Sequence, residues 1–165
     1  MVSSTPYTDS NIRGLLSQIM DPEIPVVSIE EMGMLREIRV NDSGCDVYIT
    51  PTYTACPAMG IIAHDIKAML HHHGIEHVEV HLVYEPAWTT DWMNESTRQK
   101  LKSYGIAAPV HSSCMHAFEP EKLDVECPRC HSKQTKLISG FGSTPCKSLF
   151  TCSTCHEPFD YFKCH

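Results

Sequence analysis

The chain has 165 residues, 42% of them hydrophobic, which is enough for one compact core and a small additional module. Its formal net charge is −7, and residues 1–126 carry eight Lys/Arg against eighteen Asp/Glu, a balance of −10 that argues against nucleic acid as a partner. No apolar run approaches the eighteen or so residues that span a bilayer, and residues 1–11 do not resemble a secretory signal. These features predict a cytoplasmic protein with no membrane partner and with reduced cysteines.

The first predicted element is a helix from about Asp9 to Met20, because apolar residues recur there at the spacing of one helical face. The sequence Asp21-Pro22-Glu23-Ile24-Pro25 ends it, since the residue before a proline avoids the helical region. Two prolines in five residues predict a stiff turn that presents two carboxylates. Two interpretations of Asp21 and Glu23 stay open: solvated acids at a helix end, or ligands that hold a neighbouring loop or metal.

A β-hairpin is predicted over residues 34–40 and 45–50, where apolar and polar residues alternate. The hydroxyl-rich loop from Thr50 to Pro57 follows and leads into a second helix that ends near His72. Cys56 therefore lies near a helix N-terminus, where unpaired N–H groups and the helix dipole favour a thiolate. The alternative is that Cys56 is a buried and inert core cysteine.

A third strand is predicted over residues 78–84 and a third helix over residues 91–104. Trp88 and Trp92 lie between them, and either pack this loop onto the core or form a docking surface for a partner, since tryptophan is enriched at interface hot spots. Residues 109–126 show little periodicity and are predicted to be a linker. Metal binding by His111, Cys114 and His116 in this linker stays an alternative, although their spacing fits no common metal-site template.

The tail contains two Cys-x-x-Cys motifs separated by twenty-one residues, a spacing that predicts a four-thiolate tetrahedral site for structural zinc. Short strand-like runs at residues 136–139 and 148–151 can return the chain from one motif to the other. Paired disulfides and an iron–sulfur cluster remain alternatives, and the roles of Cys146 and Cys164 stay open. The predicted zinc ligands are Cys127, Cys130, Cys152 and Cys155.

Motifs along the whole chain resemble known families. Asp21-Pro22-Glu23, Thr50-Pro51-Thr52 and Cys56-Pro57 resemble the DUF59 family of small iron–sulfur assembly factors. Over nearly all of residues 9–165 the chain is similar to the PaaD family, the accessory subunits of the bacterial phenylacetyl-CoA epoxidase system. The motifs that extend the resemblance are residues 85–93, Phe141-Gly142-Ser143-Thr144 and Phe162-Lys163-Cys164, although Pro145 departs from the small residue expected before Cys146.

The resemblance implies an α+β fold. A DUF59-like domain (helix, β-hairpin, helix, strand, helix) is expected over residues 9–108, a linker over residues 109–126, and a zinc ribbon over residues 127–165. The DUF59-like domain is expected to serve iron–sulfur assembly.

The resemblance also implies a function in aerobic phenylacetate degradation. The chain is expected to be no enzyme but an accessory factor that matures a metal centre, either the [2Fe–2S] cluster of the epoxidase reductase or the iron of its di-iron oxygenase. Its alternative role is a structural subunit that docks on the assembled oxygenase. The family's acidic pair falls on Asp21 and Glu23, and its functional cysteine, which is expected to carry iron or a cluster transiently, falls on Cys56. A homodimer that supplies a second cysteine remains an alternative.

Overall fold

The computed structural model describes residues 7–41, 43–109 and 124–163. The described chain forms two compact units. The first comprises the residues up to 51 together with residues 57–87, and the second comprises residues 52–56 together with the residues from 88 onward. Each unit has its own sheet.

The first unit packs two helices on a three-stranded sheet, in which the first two strands are antiparallel and the third lies parallel to the second. Its fully buried side chains come from both helices and from the sheet, as the apolar spacing predicts. The elements are α1 (Asp9–Leu16), β1 (Leu35–Asn41), β2 (Gly44–Ile49), α2 (Met59–His72) and β3 (His77–Leu82).

The first helix is shorter than predicted. Thr8 caps its start by accepting a hydrogen bond from the backbone N–H of Asn11 at 3.2 Å. After Leu16 the chain tightens into turns, in which the N–H of Ile19 donates to the carbonyl of Leu16 at 3.0 Å. Met20 then pairs with Ser28 in an isolated β-bridge, which brings the chain into the acidic turn.

The predicted hairpin is confirmed, and its turn depends on two residues. The side-chain oxygen of Asn41 accepts hydrogen bonds from the backbone N–H groups of Ser43 and Gly44, at 3.0 and 2.9 Å. Only glycine fits at position 44 without a steric clash, because a Cβ atom there would lie 1.8 Å from the carbonyl oxygen of His77 on the neighbouring β3. The predicted second helix and third strand are also confirmed.

The predicted third helix is divided in two. A one-turn 3₁₀ helix spans Thr90–Trp92, and Met93 then has extended backbone angles (φ −76°, ψ 128°) that interrupt the helix. The α-helix α3 spans Glu95–Tyr104, and Asn94 caps it by accepting from the N–H of Thr97 at 2.8 Å. Gly105, at φ 95°, ends it in the left-handed conformation.

The second unit contains a four-stranded sheet, whose strands are β4 (Ile106–Ala107), β5 (Thr135–Ser139), β6 (Lys147–Cys152) and β7 (Pro158–Phe162). The strand order is β4-β7-β6-β5. The sequence predicted β5 and β6 but not β7, nor the two-residue strand β4, which pairs in parallel with β7. A small core on this sheet contains Phe150, Phe159 and Tyr161.

The α+β class is confirmed by these two sheets and three α-helices of the described residues. The structure groups residues 88–107 with the ribbon, whereas the sequence-based division at 9–108, 109–126 and 127–165 groups them with the first domain. That division stays a prediction. In the described part of the chain, no helix has the length and apolar character needed to cross a membrane.

Candidate metal centre and neighbouring loops

The four predicted zinc ligands converge at one end of the ribbon sheet. The sulfurs of Cys127, Cys130, Cys152 and Cys155 all lie within 4.8 Å of one another. The Cys127–Cys155 and Cys130–Cys152 sulfur pairs are 3.8 and 3.5 Å apart. A tetrahedron with metal–sulfur bonds of about 2.3 Å has edges of about 3.8 Å, whereas a disulfide needs about 2.05 Å. The sulfur–sulfur separations therefore fit one metal ion bound by four thiolates, and they are too long for disulfides within this cluster.

The two Cys-x-x-Cys motifs form matching turns. The N–H of His131 donates to the carbonyl of Cys127, and that of His156 to the carbonyl of Cys152, each at 3.0 Å. Both histidines have left-handed backbone angles, with φ of 60° and 62°. Each motif is thus a Cys-x-x-Cys-His turn that reverses the chain and directs two sulfurs to one point.

Hydrogen bonds and crowding give the thiols opposite protonation preferences. The backbone N–H of Cys155, with that of Thr154, lowers the pKa of Cys152 to about 6 against the opposing effect of burial. A backbone N–H of Ser132 favours the Cys130 thiolate, but burial and the neighbouring sulfurs outweigh it and raise the pKa of Cys130 to about 12. Four thiolates this close repel one another, so full ionisation of the cluster requires a bound cation.

Polar contacts support the centre from outside. Glu126 accepts hydrogen bonds from Lys102 of α3 at 2.8 Å and from the His131 ring at 2.9 Å, and the bond from Lys102, with that from His131, lowers the pKa of Glu126. Arg129 of the first turn pairs with Glu157 just beyond the second. Glu126 and Lys102 could not be found from the sequence, because positions 24 residues apart carry no motif.

The acidic turn separates the two carboxylates that the sequence treated as a pair. Asp21 is buried, and its Oδ1 accepts hydrogen bonds from the backbone N–H groups of Glu23 and Ile24, at 2.8 and 2.9 Å. Glu23 is half-buried. Asp21 therefore builds the turn that holds Glu23. This geometry does not test whether Asp21 or Glu23 binds a metal, and both roles stay predictions.

The loop before α2 contains Cys56, which is half-buried, and the buried threonines Thr50 and Thr52. The N–H of Cys56 donates to the carbonyl of Tyr53 at 3.1 Å, forming a tight turn. Cys56 lies three residues before the first residue of α2, and no side chain caps the helix start at Ala58. The transfer role of Cys56 stays a prediction.

The two tryptophans differ in exposure. Trp88 is 5% exposed, and its ring meets the ring of Phe162 edge-on at a centroid distance of 5.8 Å. Trp92 is half-buried in the 3₁₀ turn. The burial of Trp88 fits the packing interpretation, and docking through this pair stays a prediction.

Of the other cysteines, Cys45 is buried on β2, and burial raises the pKa of its thiol. Cys146 is also buried, with its sulfur 3.0 Å from the hydroxyl of Thr144. Cys114 and Cys164 lie outside the described residues.

Comparison with known proteins assigns both parts of the chain. A model of the PaaD zinc beta ribbon domain matches residues 112–163, and a model of the iron–sulfur cluster assembly protein family matches residues 9–82. A putative 1,2-phenylacetyl-CoA epoxidase subunit of Escherichia coli is 48% identical over 99% of this chain and 98% of its own length. The chain belongs to the PaaD family. The resemblance of the sequence motifs to the DUF59 and PaaD families is thus confirmed.

The N-terminal part has relatives of its own. The Fe–S protein maturation auxiliary factor YitW of Bacillus subtilis is 36% identical over 55% of this chain and 90% of its own length. A DUF59 domain from Bacillus anthracis superimposes with a TM-score of 0.53 at 24% identity, covering 56% of this chain and 90% of that one, which supports the fold. This chain thus joins a region that matches the iron–sulfur cluster assembly family to a region that matches the PaaD zinc ribbon.

Proposed function

We propose that this chain is a non-catalytic maturation factor for the metal centres of the phenylacetyl-CoA epoxidase, acting on the [2Fe–2S] reductase or on the di-iron oxygenase. One observation carries the proposal: an iron–sulfur assembly domain and a PaaD ribbon occur in a single chain that matches an epoxidase subunit along its whole length. Relatives of the first part alone are named Fe–S protein maturation factors. In this proposal the chain acts on a client protein in the cytoplasm, which is the reductase or the oxygenase.

The ribbon centre is proposed to hold structural zinc through Cys127, Cys130, Cys152 and Cys155. The sulfur separations suit the tetrahedral four-thiolate site that structural zinc adopts, and the small ribbon core has few other sources of stability. An iron–sulfur cluster in this site would instead give stoichiometric iron and sulfide, with the visible absorption of a cluster. Metal analysis of anaerobically purified protein therefore decides between the two.

Cys56 is proposed to hold the cargo, iron or a cluster, before it passes to the client. A single thiolate is a weak ligand set, which suits release better than storage. Its half-buried position leaves part of the residue accessible to a client. Asp21 and Glu23 are proposed to supply oxygen ligands to this cargo or to orient the loop that contains Cys56.

The variant Cys56→Ala tests this role. We expect it to fold, as checked by circular dichroism and zinc content, and to leave a co-expressed epoxidase deficient in iron. Cys45→Ala is the matched control, since this buried strand cysteine has no proposed cargo role. If the folded Cys56→Ala variant still yields fully metallated, active epoxidase, the proposed role of Cys56 is wrong.

A second experiment separates maturation from the alternative, in which the chain is a structural component that docks on the oxygenase. The reductase and oxygenase are produced without this chain and then reconstituted chemically with iron and sulfide. Under the maturation proposal the reconstituted epoxidase is active without this chain. Activity that returns only when the chain is added stoichiometrically would support the structural role.

A further inference from the structure

In the second unit, the end of β5 and the loop that follows it each expose one large apolar side chain. Ile138 and Phe141 are 55% and 69% exposed. Leu137 pairs with Phe150 and Ser139 with Leu149, so Ile138 is the extra residue of a β-bulge, a feature that redirects side chains. We name Ile138 and Phe141, with the flanking Lys136 and Lys163, the bulge-and-turn surface.

Polar contacts to Asp160 and a buried lysine order this turn. The carboxylate of Asp160 accepts from the hydroxyl of Ser143 at 2.6 Å and from its backbone N–H at 3.3 Å. Lys147, which is 3% exposed, places its amine 3.7 Å from the same carboxylate. Gly142 leaves room for this arrangement, because a Cβ atom there would lie 2.3 Å from an Asp160 oxygen. Burying a lysine is costly, and its pairing with Asp160 helps to order a turn that displays apolar residues.

The flanking charges are positive. Asp124, Glu126, Glu157 and Asp160, the four carboxylates within residues 124–163, each lie within ion-pair distance of a cation. Lys136 and Lys163 have no such carboxylate among the residues that the structure describes. The amine of Lys163 instead lies 4.3 Å from the ring centre of Phe141 and donates to the carbonyl of Pro145.

We propose that the bulge-and-turn surface docks into an apolar site on a partner protein that is bordered by carboxylates. A rigid turn loses little entropy on binding, and carboxylates complement Lys136 and Lys163. A symmetric contact with a second copy would bring the same lysines together. Nucleic acid fits poorly, because its affinity grows with the number of neutralised phosphates and this surface offers two cations.

The test measures binding of the full-length, zinc-loaded chain to purified epoxidase reductase and oxygenase; the choice of these probes rests on the proposed function. We expect one of them to bind and Phe141→Ser to weaken binding by at least about tenfold, as for an interface anchor. Lys163→Glu should also weaken binding and reduce its salt dependence. Tyr104→Ser, which alters a 52% exposed aromatic on α3, is the matched control and should stay within about twofold.

Folding of each variant is checked by zinc content and circular dichroism, and Ile138→Ser serves as a second variant. Equal binding by wild type, Phe141→Ser and Ile138→Ser would overturn the proposal, as would wild type that binds neither probe. Duplex DNA binding, or a dimer in sedimentation, that is lost in Phe141→Ser would assign the surface to another occupant and also overturn it.

These outcomes separate docking from maturation. If wild type binds neither probe but the epoxidase still needs it for iron, docking is wrong and the proposed function stands. If Phe141 is needed for binding but an epoxidase produced without the chain is fully metallated, the docking proposal stands and the maturation proposal is wrong.

Discussion

The two sheets of the molecule are stabilised in different ways. The three-stranded sheet buries fully enclosed side chains such as Ile49, Ile66 and Leu70 against two helices. The ribbon sheet has a smaller core, of which Cys127 and Cys152 are themselves members. The first sheet is therefore held by packing, whereas the second combines its core with its metal ligands. Changes to core side chains and to metal ligands should act on different parts of the chain.

The largest expected effect is loss of metal. Chelation of zinc, or Cys130→Ser, should unfold the ribbon and leave the first sheet folded, because structural zinc binding in small domains contributes about 10–16 kcal/mol. Since β4 pairs with β7 and Lys102 bonds to Glu126, part of the α3 helical signal should be lost with the ribbon. Hydrogen exchange resolved by peptide measures both regions.

Cys146→Ser is the control for this experiment. Cys146 is buried in the same unit but is not one of the four clustered thiols, so the variant should keep one zinc per chain. Chelation that leaves ribbon protection unchanged would contradict the view that metal holds this sheet.

The second effect is confined to the first sheet. Leu70→Ala removes a fully buried side chain from α2 and should destabilise this unit by about 2–5 kcal/mol. Zinc stoichiometry and ribbon exchange rates should not change. Equal loss of protection in both sheets would show that they unfold as one cooperative unit.

The ribbon centre could be predicted from sequence because a Cys-x-x-Cys turn is local and four thiolates require one another. The hairpin and α2 followed from period and turn residues for a similar reason. Strand β4 could not be predicted, because two residues carry no period and their pairing with β7 is non-local. The different burial of Asp21 and Glu23 could not be predicted either, because it depends on which carboxylate accepts hydrogen bonds from the backbone of its own turn.

A smaller effect tests the acidic turn. Asp21→Ala removes the acceptor of two backbone N–H groups and should destabilise the first unit by about 1–3 kcal/mol, while Asp21→Asn keeps an acceptor oxygen and should cost less. Glu23→Ala leaves the Asp21 acceptor and its two hydrogen bonds in place, so we expect it to cost less than Asp21→Ala. Thermal unfolding of the three variants measures the ranking, and a cost for Glu23→Ala equal to that of Asp21→Ala would contradict the assigned turn role.

The smallest effect distinguishes the two metal turns. His131 and His156 occupy left-handed backbone positions where glycine is unstrained, so replacement by glycine relieves about 1 kcal/mol of strain, partly offset by greater chain entropy in the unfolded state. His131→Gly also loses the hydrogen bond to Glu126, whereas the side chain of His156 has no hydrogen bond or ion pair among the described residues. We therefore expect His156→Gly to raise the unfolding temperature of the zinc-loaded ribbon and His131→Gly to change it little. His156→Ala, which keeps the strain, is the control. If both glycine variants gain equally, the hydrogen bond between His131 and Glu126 contributes nothing to the stability of the ribbon.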